Sequence, residues 1–395
     1  MAMENVNIKH VLKNHAYQNI PLTYEEAYAL GLYALQGCNG NRLAQIQSVA
    51  ALSALHNYAT YKWVRSQKAE DLHGHRLPAN AAEQIAGVCA AIFEADIRRS
   101  RYGFLTPKVS MVMDNCGMGG DLVVTPNVST VAAFIAAAMG ISMGKHGSPA
   151  NADQGRYGSS DFVALICNIN EYSKRNEVEL AIEQFGFGYT EALDTNYKVI
   201  HLQTHEIAQL PHMNDIIGPI TNPIDPRIMT RRVIGVNHLV KPRVVAEALQ
   251  VLNERGVTFF ERVLVVRGFI DKHHYRGMDE VSVCAGGTMV AELRHGKIHE
   301  YELEARDFGL DPIDADAITP IGDKGQFSLA LLKGDIQGAA RDLVVANAAV
   351  LLWLAEKAAT FEEGFKLSME CLMSGQPYEL MQKIQQFMPK KMSGK

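Results

Sequence analysis

The chain has 395 residues, 47% of them hydrophobic, with a formal net charge of −5 at pH 7 and an isoelectric point near 6.3. That length can bury a large core and divides most naturally into two domains, while the acidic balance offers no global attraction to nucleic acid or anionic membranes. Six cysteines (Cys38, Cys89, Cys116, Cys167, Cys284 and Cys371) are scattered without a C-x-x-C pair. Neither a zinc site nor a disulfide framework is expected, and a reducing, cytoplasmic setting fits. The longest apolar stretch, Val131 to Met143, is broken by Gly140 and Ser142 and is too short for a membrane span. The N-terminus, with Glu4, Lys9 and Lys13, lacks the apolar core of a signal peptide.

From about Ile8 to Ile97 the pattern predicts helices. Thr23 and Glu26 form a capping signature ahead of Ala27, Leu30, Tyr33 and Ala34 at helical spacing, and Ile46 to Leu55 and Ala82 to Phe93 are small-residue-rich helices suited to close packing. Between them, Tyr58 to Pro78 is polar and reads as a surface insertion. It holds the only H-x-H in the chain, His73-Gly74-His75, but no further ligands that would complete a metal site. After about Lys108, short β-rich runs alternate with helices. Val109 to Met113, Val233 to Val236 and Val263 to Val266 read as buried strands. Val131 to Met139 and Pro242 to Glu254 read as helices between them, and Asp335 to Lys357 and Phe361 to Ser374 close the chain as two more. The expected fold class is α/β: a mostly parallel central sheet with flanking helices, plus a smaller all-helical N-terminal domain.

Three stretches outline a place for a phosphorylated ligand. Gly117-Met118-Gly119-Gly120-Asp121 is a glycine-rich turn whose backbone N–H groups can approach an anion. Asn127-Val128-Ser129-Thr130 begins a helix and brings hydroxyls and unpaired N–H groups to one point. Lys145-His146-Gly147 adds a positive group and a proton donor. Farther on, Asp279 and Glu280 are adjacent carboxylates that can both face a hard cation.

On these residues the chain resembles the anthranilate phosphoribosyltransferase family, nearly end to end. Leu22-Thr23-x-Glu25-Glu26-Ala27 and Gln84-Ile85-Ala86-Gly87 resemble the family's N-terminal helical domain. G-x-G-G-D, N-x-S-T and K-H-G resemble its ribose-diphosphate site in order and spacing. Gly158-Ser159-Ser160-Asp161, Gly218-Pro219-Ile220-Thr221-Asn222-Pro223, Met278-Asp279-Glu280-Val281-Ser282 and Gly338-Ala339-x-Arg341-Asp342 are further signatures. The resemblance implies a helical domain over 1–105 with a return near 200–223, and an α/β domain over 106–199 and 224–395, with the active site in the cleft between them. It also implies a homodimer through the helical domain, and transfer of a phosphoribosyl group from phosphoribosyl diphosphate, with magnesium, to an aromatic nitrogen. Gly117, Gly119, Gly120, Asp121, Asn127, Ser129, Thr130, Lys145 and Gly147 would hold the donor. Ser129, Asp279 and Glu280 would hold the metal, and His146, Ser148, Asn196 and His205 would lie on the acceptor side.

The departures from the family pattern lie mostly on that acceptor side. Ser148-Pro149 replaces an Asn-Arg pair, and the following loop to Gly158 is longer. A histidine-proline pair is replaced around Asn196-Tyr197. The arginine that would pair with the anthranilate carboxylate falls near His205 or Glu206, and a second arginine falls at Pro211-His212. Losing the bidentate guanidinium removes a permanent charge, which nearby histidines replace only when protonated. Met118 stands where threonine is usual in the glycine turn. An acceptor other than anthranilate, either an amine or a heterocycle, is the leading expectation. True anthranilate transfer in tryptophan synthesis and a non-catalytic nucleic-acid-binding relative are the alternatives.

Overall fold

The computed structural model describes residues 7–18, 20–38, 40–65, 80–97, 103–148, 158–170, 172–191, 213–273 and 276–389. At the N-terminus α1 (Ile8–Val11) leads through a wider turn to α2 (Tyr24–Cys38), α3 (Arg42–Arg65) and α4 (Ala81–Ala91). The expected capping box is present: Thr23 N–H donates to Glu26 Oε2 at 2.9 Å, and Glu26 N–H donates to Thr23 Oγ1 at 3.2 Å. Small residues set the helix spacing. A Cβ on Gly87 of α4 would strike the Tyr24 carbonyl of α2, and one on Gly31 of α2 would lie 2.7 Å from Ala91 Cβ. The stretch read as a surface insertion is corrected in part, because α3 runs through Tyr58 to Arg65; His73 and His75 lie outside the described residues.

Among the described residues the sheet has eight strands: β1 (Met113–Gly117), β2 (Met143–Gly147), β3 (Phe187–Glu191), β4 (Arg231–Gly235), β5 (Arg262–Phe269), β6 (Gly277–Met278), β7 (Thr288–Arg294) and β8 (Lys297–Leu303). Their order is β3-β2-β1-β4-β5-β7-β8, with β6 beside β5. Strands β3 to β5 along this order are parallel, as the alternation of strands and helices predicts. The β5-β7-β8 edge is antiparallel and was not anticipated. Its hairpin turns at His295 and Gly296, both at positive φ, the conformation such two-residue turns require.

The crossover helices are α5 (Val128–Ala138), α6 (Ser159–Cys167), α7 (Arg175–Phe185), α8 (Asn214–Ile220) and α9 (Pro242–Glu254), followed by α10 (Lys324–Lys333), α11 (Ala339–Leu354), α12 (Phe361–Met373) and α13 (Gln376–Phe387). Alternate strand residues enter two cores. Val233, Leu264 and Val266 pack with α5 and α11, whereas Ile234, Val263 and Val265 pack with α9 and the N-terminal helices. Helix α8 joins the second core through Ile216, Ile217 and Ile220, so the described part of the expected return segment packs beside the N-terminal helices. All of this leaves the carboxyl ends of β1 and β2 facing an open cleft.

One strand differs from its sequence-based expectation. The apolar run Val109 to Met113 only reaches β1 at its last residue; the strand itself is Met-Asp-Asn-Cys-Gly. Asp114 and Asn115 are buried there because other elements satisfy them. Asp114 Oδ2 pairs with Arg232 Nη2 of β4 at 2.6 Å, with both side chains at most 1% exposed. Its Oδ1 accepts the His146 N–H of β2 at 3.0 Å. Arg232 also donates to the Ile220 carbonyl at 2.7 Å and to that of Pro219. Asn222 Nδ2 donates to the Gly144 carbonyl at 2.9 Å, so the G-P-I-T-N-P segment is bolted to β2 and β4.

Candidate active site

The cleft encloses about 990 Å³, its open mouth included. The glycine turn after β1 and the start of α5 form two of its walls, and the end of β2, Asp279 and Glu280 line it as well. After β1 the chain turns through Gly119 and Gly120, at φ +72° and +75°, a region that residues with a Cβ rarely enter. Met118 N–H donates to the Gly235 carbonyl at 3.1 Å, and Asn237 Nδ2 donates to the Gly119 carbonyl at 3.1 Å, which pins the turn to the end of β4. Gly119 N–H reaches Asp279 Oδ2 at 2.6 Å. A Cβ on Gly117 would displace the Asp279 carboxylate, and Gly235 makes room for the Asp279 backbone carbonyl. Met118 is half-buried against the second core as well as lining the cleft, so its bulk is absorbed by packing.

The second wall is the start of α5. The N-cap is Asn127, whose side chain makes no capping bond, and the N–H groups of Ser129 and Thr130 in the first turn have no intrahelical partner. Asn127 is held from outside: its N–H donates to Ser328 Oγ at 2.9 Å, and Ser328 Oγ lies 3.0 Å from Asn127 Oδ1. Ser129 and Asn127 line the cleft. Thr130 lies behind the wall, fully buried, with no partner for its Oγ1 among the described residues.

Lys145, His146 and Gly147 form the end of β2. Lys145 is 1% exposed, and its Nζ donates to the Asn115 carbonyl at 2.9 Å while Asn115 Nδ2 donates to the Ser129 carbonyl at 2.7 Å. The lysine, β1 and the start of α5 are thereby one hydrogen-bonded unit. His146 packs its ring on Thr190, Nδ1 to Oγ1 2.9 Å. Burial pushes its imidazole down to about 4, more than the Asp114 carboxylate raises it, so the ring is neutral at physiological pH. Gly147 leaves room for Ser159 Oγ and Tyr189 Oη, which bond each other at 3.1 Å. Ser148 borders the cleft, and its carbonyl accepts Ser160 N–H at 3.2 Å. Asn196 and His205, expected on the acceptor side, lie outside the described residues.

Asp279 and Glu280 do meet, and a third carboxylate joins them. Ligand oxygens of Asp121, Asp279 and Glu280 lie within 4.8 Å of one another. Burial first, and then the charges of Asp279 and Glu280, hold the Asp121 carboxyl well above the usual carboxylate range; burial and Asp279 do the same to Glu280. Asp121 Oδ1 and Glu280 Oε2 are buried without a hydrogen-bond partner among the described residues. Three crowded acids with unsatisfied oxygens fit a hard divalent cation. Sequence reasoning placed Asp121 with the donor and not with the metal, because nothing in its spacing from Asp279 signals contact. Lys324, at the start of α10, also borders the cleft and was missed for the same reason.

A parallel sheet with a glycine turn, a helix N-terminus and an acidic cluster at its carboxyl edge defines an α/β enzyme for a phosphorylated ligand. Residues 109–378 match the family model described as glycosyl transferase family, a/b domain. Among curated proteins, the anthranilate phosphoribosyltransferase of Rubrobacter xylanophilus is 36% identical over 67% of this chain and 72% of its own length. That of Shewanella amazonensis is 30% identical over 93% and 94%. Among solved structures, the anthranilate phosphoribosyltransferase of Thermus thermophilus superposes with a TM-score of 0.73 at 27% identity, covering 95% of this chain and 98% of that one. The Saccharomyces cerevisiae enzyme, solved in complex with PRPP and Mg, shares the fold with a TM-score of 0.72 at 21% identity, covering 98% and 99%. The chain belongs to the anthranilate phosphoribosyltransferase family.

Proposed function

We propose that the protein transfers a 5-phosphoribosyl group from phosphoribosyl diphosphate to the nitrogen of an aromatic acceptor, an anthranilate-like amine or heterocycle, and releases diphosphate. The observation that carries this reading is the convergence of the glycine turn, the α5 N-terminus, Lys145 and the Asp121-Asp279-Glu280 cluster on one cleft in a chain of this family. Departure of diphosphate leaves positive charge on the anomeric carbon, so the protein must hold the sugar phosphate, offset the leaving group and exclude water. Gly117, Gly119, Gly120 and Asn127 cradle the donor, the first-turn N–H groups of α5 meet its oxygens, and Lys145 offsets their charge. Asp121, Asp279 and Glu280 would hold magnesium, with Ser129 beside the donor oxygens. When bound, the metal neutralises charge on the diphosphate. The neutral His146 acts as a support for β2, because its low proton affinity leaves it no charge to offer.

The domain division belongs to the same proposal: residues 1–105 with the 200–223 return as the helical unit, and the rest as the donor-binding unit. So does a homodimer through the helical layer, which exposed Leu43 and Ile46 of α3 support. A cytoplasmic setting is supported by Cys89, Cys116, Cys167, Cys284 and Cys371, all free thiols and buried. The test is diphosphate release by purified protein with phosphoribosyl diphosphate and magnesium, with anthranilate and then with other aromatic amines and nitrogen heterocycles. Release that depends on an acceptor supports the proposal. A protein that binds the donor yet releases diphosphate with no member of the panel would overturn it.

A further inference from the structure

Helix α10 contributes two side chains to the cleft region, and the sequence motifs include neither. Ser328 is fully buried and accepts the Asn127 N–H at 2.9 Å; its hydroxyl hydrogen is within reach of Asn127 Oδ1 at 3.0 Å and of the Lys324 carbonyl at 2.8 Å. Helix α10 is thus tied to the N-cap of α5. Asp323 caps α10, accepting Gln326 N–H at 2.8 Å, which fixes the position of the next residue, Lys324. Lys324 borders the same cleft as Lys145. The two lysines approach from different elements, β2 and α10.

Resting on the donor reading above, we propose that Lys324 is a substrate-binding residue, a second cation that meets the diphosphate group together with Lys145. Three carboxylates gather at this site and a diphosphate brings further negative charge, so a second lysine bordering the same cleft lowers the cost of holding it. The alternative role, a counter-ion for the acidic cluster alone, makes a different prediction: removing the charge would tighten magnesium and leave diphosphate binding unchanged at saturating magnesium.

The experiment is calorimetric titration of the full chain with inorganic pyrophosphate at saturating magnesium, with magnesium binding measured separately. Lys324→Gln is expected to weaken pyrophosphate about ten- to hundredfold, the loss of one charge-assisted contact, without weakening magnesium. Lys324→Arg keeps the charge and recovers most of the affinity. Thermal melts check that each variant is folded; Lys324→Met, which keeps the length of the side chain, replaces Lys324→Gln if that variant is not. Wild-type binding that Lys324→Gln leaves intact would overturn this inference alone. Absence of pyrophosphate binding by the wild type would overturn the donor reading and this inference with it.

Discussion

Replacing Arg232 by methionine should be among the costliest single changes in the chain. The guanidinium pairs with Asp114 Oδ2 at 2.6 Å and donates to the Ile220 and Pro219 carbonyls, all in the interior. Breaking a buried ion pair by removing one partner costs about 3–5 kcal/mol, because the other charge stays behind. The Ile220 and Pro219 carbonyls lose their donor as well, which adds about 1–3 kcal/mol. Urea unfolding of wild type and Arg232→Met at pH 7 measures it. The double variant Asp114→Asn/Arg232→Met, which removes the stranded charge, should be more stable at pH 7 than Arg232→Met alone. A deficit below about 1 kcal/mol at pH 7, or a double variant no more stable than Arg232→Met, would refute the reasoning, since a buried unpaired carboxylate requires both.

Gly117→Ala should push the Asp279 carboxylate aside and cost the Gly119 N–H its charged acceptor, weakening magnesium-dependent donor binding about ten- to hundredfold in calorimetry with a near-native melting temperature. Acid should destabilise the protein through its buried histidines. His56 and His146 are each pushed down to about 4 by burial, so the native state binds fewer protons than the unfolded chain between that value and the ordinary histidine range. Their contribution is complete above about pH 6.5 and is lost as pH falls towards 4; urea midpoints across this range should flatten in His56→Leu. The acidic cluster has the opposite sign. Asp121 and Glu280 hold protons in the native state that the unfolded chain releases, so metal-free stability falls as pH rises above the ordinary carboxylate range. Asp279→Asn should therefore raise the metal-free melting temperature at pH 8 and abolish most of the stabilisation by added magnesium, both read by scanning fluorimetry.

What was legible in the sequence depended on whether the information was local. The Thr23-Glu26 cap, the helix opened by Pro242 and the glycine turn at 117–120 are written within a few residues, and each is where it was expected. β1 lies later than the apolar run Val109 to Met113 because polar Asp114 and Asn115 carry no strand signal of their own. Their burial is made tolerable by Arg232, His146 and Lys145, residues far away in sequence that no periodicity connects to them. The β7-β8 hairpin was missed because β8 is polar and mostly exposed along its length, so it lacks the apolar run by which the inner strands were found. At the site, the motif residues converge, but the closing of the acidic cluster by Asp121 and the approach of Lys324 depend on how the chain returns after more than a hundred residues. Glycines such as Gly147 and Gly235 carry part of that information. Each permits a close approach by a named group, and only the folded chain reveals which one.

The central claim is that the cleft binds phosphoribosyl diphosphate through the glycine turn, the α5 N-terminus and the acidic cluster. Calorimetric titration of wild type and of Asp279→Asn/Glu280→Gln with phosphoribosyl diphosphate and magnesium tests it most directly. Micromolar binding by the wild type, weakened about a hundredfold or more in the double variant, is the predicted result. No binding by the wild type, or equal binding by both, would contradict it.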